Sequence, residues 1–198
     1  MNWRGEQSGK KSYFRINGTN PLEHLTRDSY KGEFIMNENF TDPRDGKTYK
    51  TVKIGKQTWM AENLNYEAEG SKCYDNDPAN GEKYGRLYDW ETAMKVCPPG
   101  WHLPSNKEWQ ELANFAGGDE IAGEKLKATD GFSALLGGSC RSDGSFCNIG
   151  GCGYWWSSSE CGSDDAYNWI MISGRMNVYC LNTSKGHLQS VRYLQDSP

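Results

Sequence analysis

The stretch Cys97-Pro98-Pro99-Gly100-Trp101-His102-Leu103-Pro104-Ser105-Asn106-Lys107-Glu108-Trp109 closes one helix and opens another. Upstream, Leu87, Trp90, Ala93 and Met94 recur at helical spacing over Leu87–Val96, and Pro98-Pro99-Gly100 forbids continuation. Downstream, Ser105-x-x-Glu108 is a capping box: the Ser hydroxyl accepts from the Glu108 backbone N–H, and Glu108 reaches back. Trp109, Leu112, Ala113 and Ala116 then make one apolar stripe, ended by Gly117-Gly118. Trp101 and Trp109 are assigned to the core. Two main helices therefore sit near the middle of the chain.

On either side the periodicity changes from helical to alternating. Asp42-Pro43-Arg44-Asp45-Gly46 is a dense turn signal, and Thr48–Ile54 and Gln57–Met60 flank Gly55-Lys56 as a hairpin. Beyond Gly131 come short strands between Gly-rich turns: Tyr154–Ser158, Tyr167–Ile172, Met176–Cys180 and Leu188–Leu194. Ser173-Gly174 joins the middle two as a hairpin. Helices followed by runs of short antiparallel strands predict an α+β class with a long loop-rich region. Residues 1–40 lack sustained periodicity and read as an N-terminal extension, with a strand near Gly32–Met36. The organised domain is expected over residues 41–198.

Charge and length exclude several function classes. The 198 residues carry a net charge of −4, and no Lys/Arg run interleaves with the aromatics, which argues against nucleic acid as a partner. No apolar run approaches the ~18 residues of a membrane span. Met1–Lys11 is polar and lacks the apolar core of a signal peptide, so an exported form would be a trimmed one. Mean hydropathy is −0.84, with 8 Trp and 11 Tyr supplying the burial that aliphatics do not.

Seven cysteines, Cys73, Cys97, Cys140, Cys147, Cys152, Cys161 and Cys180, contain no C-x-x-C knuckle. Disulfides in an oxidising compartment are the better reading than structural zinc, with one cysteine left over. Sequence neighbours, Cys140 with Cys147 and Cys152 with Cys161, are favoured because short loops close easily.

An ordered series of blocks carries a family resemblance. The series runs from Asp45-Gly46-Lys47-Thr48-Tyr49 through Trp59-Met60-Ala61-Glu62-Asn63-Leu64, Cys73-Tyr74-Asp75-Asn76-Asp77 and Tyr84-Gly85-Arg86-Leu87-Tyr88. Cys97–Pro104, Trp155-Trp156-Ser157-Ser158-Ser159-Glu160 and Ser190-Val191-Arg192 complete it. From Thr41 to Asp196 the chain is similar to the Fibrobacter succinogenes major paralogous domain, a family of extracytoplasmic bacterial proteins. That family looks like the formylglycine-generating branch of the C-type-lectin-like fold, through Leu103-Pro104, Glu108-Trp109, Gly137-Gly138-Ser139 and Arg192. The resemblance implies paired terminal strands, two flanking helices and a loop region presenting a variable surface. Family members usually carry cysteine where Asn80 and Tyr193 stand, so Cys73 and Cys97 lack their usual partners here.

No hydrolase, nucleotide or zinc-protease motif is present, and no active-site cysteine motif of the formylglycine-generating type surrounds Cys140, Cys161 or Cys180. Catalytic residues are therefore not assigned, and no cofactor is expected, with calcium as the one candidate. Asp75–Gly81 fails as an EF-hand loop, since Gly falls at position 7 and Arg86 at position 12. Glu160, Asp164, Asp165 and Asn168 form a second acidic cluster among Tyr154, Trp155, Trp156, Tyr167 and Trp169. Strand alternation puts Trp155 and Trp156 on opposite faces, so at most one is expected to be fully buried. Trp156, Glu160, Asp164, Asp165 and Trp169 are the candidate ligand residues, combining stacking faces with oxygen acceptors for a polyol. The expected function is non-catalytic recognition or adhesion outside the cytoplasm, with polysaccharide or a cell-surface protein as partner. A structural subunit of a surface assembly is the alternative, and a copper oxidase of the formylglycine-generating type a distant one.

Overall fold

Two side chains decide where the central helices begin. In a computed structural model, which describes residues 35–36, 39–129 and 131–197, Asp89 accepts from Thr92 N at 2.8 Å. Ser105 Oγ accepts from Glu108 N, and Glu108 Oε2 accepts from Ser105 N at 2.8 Å. The capping box is therefore formed as the sequence predicts, a contribution of about 1 kcal/mol. The strands are β1 (Ile35–Met36), β2 (Phe40–Thr41), β3 (Thr48–Tyr49), β4 (Thr51–Ile54), β5 (Gln57–Met60) and β6 (Trp101–His102). They continue with β7 (Ser139–Cys140), β8 (Phe146–Cys147), β9 (Cys152–Glu160), β10 (Asp165–Ile172), β11 (Val178–Ser184) and β12 (Leu194–Gln195). The helices are α1 (Pro78–Tyr84), α2 (Trp90–Lys95), α3 (Asn106–Phe115) and α4 (Ala122–Lys127).

The α+β class holds, with corrections in detail. Four α-helices are present among the described residues rather than two. The expected strand over Leu188–Leu194 reduces to β12, because Leu188, Gln189 and Ser190 bridge singly to Cys140, Tyr88 and Trp155 in turn. The domain also starts before Thr41: Ile35 and Met36 pair antiparallel with Lys53 and Val52. Expectations for Met1–Lys11, and for the extension up to residue 34, lie outside the described residues. No helix among the described residues is long and apolar enough to cross a membrane.

A five-stranded sheet in the order β1-β4-β5-β12-β6 and a three-stranded sheet β11-β10-β9 frame the core. Strand β9 is covered on both faces. Trp155 packs toward Trp109 of α3, while Trp156 donates its indole N–H to Tyr88 O on the opposite side. Both tryptophans are 0% exposed, which overturns the expectation that one would be wet. Alternation sends them to opposite faces as read; what it cannot see is that each face has its own hydrophobic cluster. Trp109 is surrounded by Trp59 at 4.8 Å, Trp169 stacked at 5.8 Å and Phe132 at 5.9 Å.

One buried polar junction ties these layers together. Asn63 Oδ1 accepts from Trp155 Nε1 and from Arg192 Nε, and its Nδ2 donates to Tyr84 O. Arg192 is fully buried, donates to the carbonyls of Phe132 and Ser133, and lies 4.4 Å above the Phe132 ring. Burial pulls its guanidinium down to about 9, so it stays charged at neutral pH.

The cysteines are free thiols, and the favoured neighbour pairs do not form. Cys152 opens β9 and Cys161 follows its last residue, Glu160, which puts them roughly 30 Å apart along an extended strand. A disulfide tolerates only about 7 Å between Cα atoms. Cys140 pairs with Phe146 and Cys147 with Ser139, so the two thiols leave opposite faces of their hairpin.

His102 fastens the start of α3 to the C-terminal segment, with Nδ1 at 2.7 Å from Asp196 and Nε2 at 2.9 Å from Glu108. Burial lowers the imidazole pKa, but the two carboxylates more than offset it, leaving the pKa raised above 6.5. Burial raises Glu108, and the Ser105 and His102 hydrogen bonds outweigh it, leaving the carboxyl below 4.5. A raised histidine stabilises fully below 6.5 and loses that contribution as pH rises through its folded value. A lowered glutamate stabilises above 4.5 and loses its share as pH falls through the folded value. The stability difference between wild type and His102→Gln is therefore expected to peak between about pH 4.5 and 6.5. Urea titrations across pH 4 to 8 check this, and a flat difference would contradict it.

Candidate ligand-binding site

The tip of the β9–β10 hairpin brings Glu160, Asp164 and Asp165 near one another, but Lys185 already occupies the neighbourhood. Its Nζ is 3.4 Å from Glu160 Oε2 and donates to Ser163 O at 3.0 Å, above the Trp90 ring. Its backbone N–H donates to Asp164 O. Among the described residues no group of three or more His, Cys, Asp or Glu is placed to hold a metal ion. The Asp75–Gly81 run is a helix start: Asp77 caps α1 through Ala79 N, with Pro78 at its first position. Trp156 and Trp169 are 0% and 2% exposed, so neither offers a stacking face. Trp169 spends its N–H on Asn106 Oδ1 and its ring on Trp109. The expected aromatic–acidic surface is not assembled.

A different surface emerges on the face of the three-stranded sheet turned away from α3. Register sets Tyr154 opposite Ile170, and Trp156 and Leu181 opposite Asn168. The β7–β8 hairpin and the segment His187–Gln189 wall this face into a concavity of about 230 Å³. Asn168, 3% exposed, donates from Nδ2 to Gln189 Oε1 at 3.0 Å, while its Oδ1 has no partner. His187 Nδ1 is likewise sealed from solvent and unpartnered. Asn148 Nδ2 donates to Tyr154 Oη at 2.8 Å, fixing the ring at the rim. Burial, followed by a hydrogen bond to Cys152, pushes the Tyr154 phenol up to about 12, so it stays protonated.

A leftover acceptor is the chemical signature here. A buried polar atom without a partner costs about 1–3 kcal/mol, a cost that a ligand hydroxyl or N–H can remove. Tyr154, Ile170 and Leu181 add apolar surface beside these groups. A second concavity of about 220 Å³ lies between β3 and α1, but its buried amide, Asn63, is already fully engaged. Of the aromatic and acidic-cluster residues singled out from sequence, Tyr154 and Asn168 reach the site, away from the acidic tip, and the candidate ligand residues do not. Arg141, His187 and Gln189 were missed; the one available signal was a lone Asn168 inside the otherwise apolar run Ala166–Ile172.

Residues 52–195 match the model of the Fibrobacter succinogenes major domain. The chain belongs to that family. The whole concavity, Ser139 to Gln189, falls inside the matched span of the Fibrobacter succinogenes major domain, whereas β1 to β3 precede it. No curated protein and no solved structure matches the chain.

Proposed function

We propose that this Fibrobacter succinogenes major domain is a non-catalytic recognition module of the cell exterior, taking a hydroxyl-rich polysaccharide in the Asn168–His187 concavity. The observation that carries the reading is one polar hollow lined by Asn168 and His187, each of which also holds a buried atom without a protein partner, Oδ1 and Nδ1. A saccharide supplies hydroxyls for both once a small rotation of each side chain turns these atoms into the hollow, and C–H faces for Tyr154, Ile170 and Leu181. The extracytoplasmic setting rests on the resemblance to a family of extracytoplasmic proteins, since the seven cysteines are free thiols and supply no staple. The C-type-lectin-like kinship remains part of this proposal and supplies no residue to it. The oxidase alternative asks for two converging thiols, and Cys147 alone contributes to this lining among the described residues.

One observation favours the assembly-subunit reading. β11 is an edge strand whose sequence, VYCLNTS, carries no charge, and Tyr179 and Leu181 are exposed on it. The two readings separate on a glycan array. Wild type is expected to bind a defined glycan set, and Asn168→Ala to weaken that binding at least about tenfold, some 1.4 kcal/mol. The thermal midpoint is expected to fall modestly, since the variant strands Gln189 Oε1 but also removes the unpartnered Asn168 acceptor. Undiminished binding by Asn168→Ala moves the site elsewhere; no binding by wild type transfers the case to assembly.

A further inference from the structure

The polysaccharide reading leaves the charge of the ligand open, and the lining of the concavity narrows it. The chain has 26 acidic side chains and a net charge of −4. Yet the concavity lined by Asn168 and His187 contains no Asp or Glu, and it does contain Arg141. Arg141 sits on the turn between β7 and β8, exposed, its backbone held by Ser145 through Arg141 N to Ser145 O at 2.8 Å. Its guanidinium makes no ion pair among the described residues. Asp143, the acid on the same turn, is engaged by Ser145, whose N–H donates to its Oδ1 at 2.8 Å. The turn is thus fixed, and Asp143 acts on Arg141 and His187 through charge alone, leaving the guanidinium N–H groups without an ion-pair partner.

Resting on the polysaccharide reading, we infer that the ligand is an acidic saccharide. A hexuronate unit places its carboxylate on Arg141 and its ring hydroxyls on Asn168 and His187. The planar guanidinium presents parallel N–H donors that match a carboxylate's two oxygens, which gives direction as well as attraction. The hydroxyls need acceptors and mixed donors, which the buried amide and imidazole supply. A hollow of about 230 Å³ admits one sugar unit with its neighbours outside. Arg141 lies at the rim and Asn168 at the floor, so charge selects the unit and the floor holds it. Because the arginine is exposed, this selection weakens as salt rises.

The test is isothermal titration with short homo-oligosaccharides of galacturonate, glucuronate and mannuronate, each beside its carboxyl-reduced neutral counterpart. Wild type is expected to bind at least one acidic oligosaccharide, with reduction of its carboxyl groups weakening binding about tenfold. Arg141→Gln is expected to reproduce that loss for the acidic form and leave the neutral form unchanged. Asn168→Ala is expected to weaken both. Equal binding of acidic and neutral forms, with Arg141→Gln silent and Asn168→Ala damaging, overturns the uronate assignment and leaves the polysaccharide site standing. Equal binding of sulfated oligosaccharides overturns the carboxylate preference. If acidic sugars bind but Asn168→Ala has no effect, or if nothing binds wild type, the proposed site itself is overturned.

Discussion

Arg192→Ala is expected to destabilise the domain by about 4–6 kcal/mol, most of the 5–15 kcal/mol that a domain of this kind has. The truncation strands the carbonyls of Phe132 and Ser133, each sealed at a cost of about 1–3 kcal/mol. It also empties the space above the Phe132 ring, adding a cavity term. Asn63 Oδ1 keeps its Trp155 donor, so that end of the junction is spared. Arg192→Met separates the two contributions, since it restores most of the volume but none of the donors. Urea unfolding followed by tryptophan fluorescence is the measurement. Methionine as stable as wild type would mean the guanidinium is dispensable, as some buried ionic groups are.

Trp109→Ala is expected to cost about 3–5 kcal/mol, because the ring is packed between Trp59, Phe132 and Trp169. Trp109→Phe is expected to cost far less, under about 2 kcal/mol, for a specific reason. The indole Nε1 is buried without an acceptor, so phenylalanine removes an unsatisfied group along with the contacts it forfeits. An alanine variant as stable as wild type would place α3 with the wrong face inward. A phenylalanine variant as damaged as alanine would mean the indole N–H matters in a way its surroundings do not display.

The local signals in the sequence were read correctly where one element decides its own fate. The Ser105 capping box, the Pro98-Pro99-Gly100 stop and the Gly55-Lys56 hairpin each depend on neighbours within a few residues. α1 escaped because it has no apolar stripe: Gly81 is its one buried residue, and Asp77-Pro78 reads equally as a turn. α4 buries Ala122, Gly123 and Leu126, of which Leu126 alone is large, so its apolar stripe is faint in the sequence. Trp156 and Trp169 were misjudged because exposure of a strand face depends on what distant segments cover it. The same holds for the concavity, whose amide pair Asn168–Gln189 arises from strand register and a returning segment. The resemblance did carry spatial information. Gly81, next to Asn80, lies so close to Cys73 that an added Cβ would stand 2.5 Å from its Sγ. Burial raises the phenol pKa of Tyr193, the other substituted position, and Cys97 is near enough to interact with it electrostatically.

The position of β12 has a kinetic consequence. It lies between β5 and β6 in the five-stranded sheet, although it is the last in sequence of the twelve strands among the described residues. Nearby, Arg192 reaches Asn63 across 129 residues of sequence. A ribosome that has delivered everything up to Lys185 has delivered a sheet with its interior missing, and β5 and β6 cannot close on each other. Ordering must then wait for residues 188–195, and the long loop closures that follow make it slow relative to helical proteins of this size. Until those residues emerge, the five-stranded sheet stays open between β5 and β6, and of the two larger sheets only the three-stranded one, β9–β11, has all of its strands.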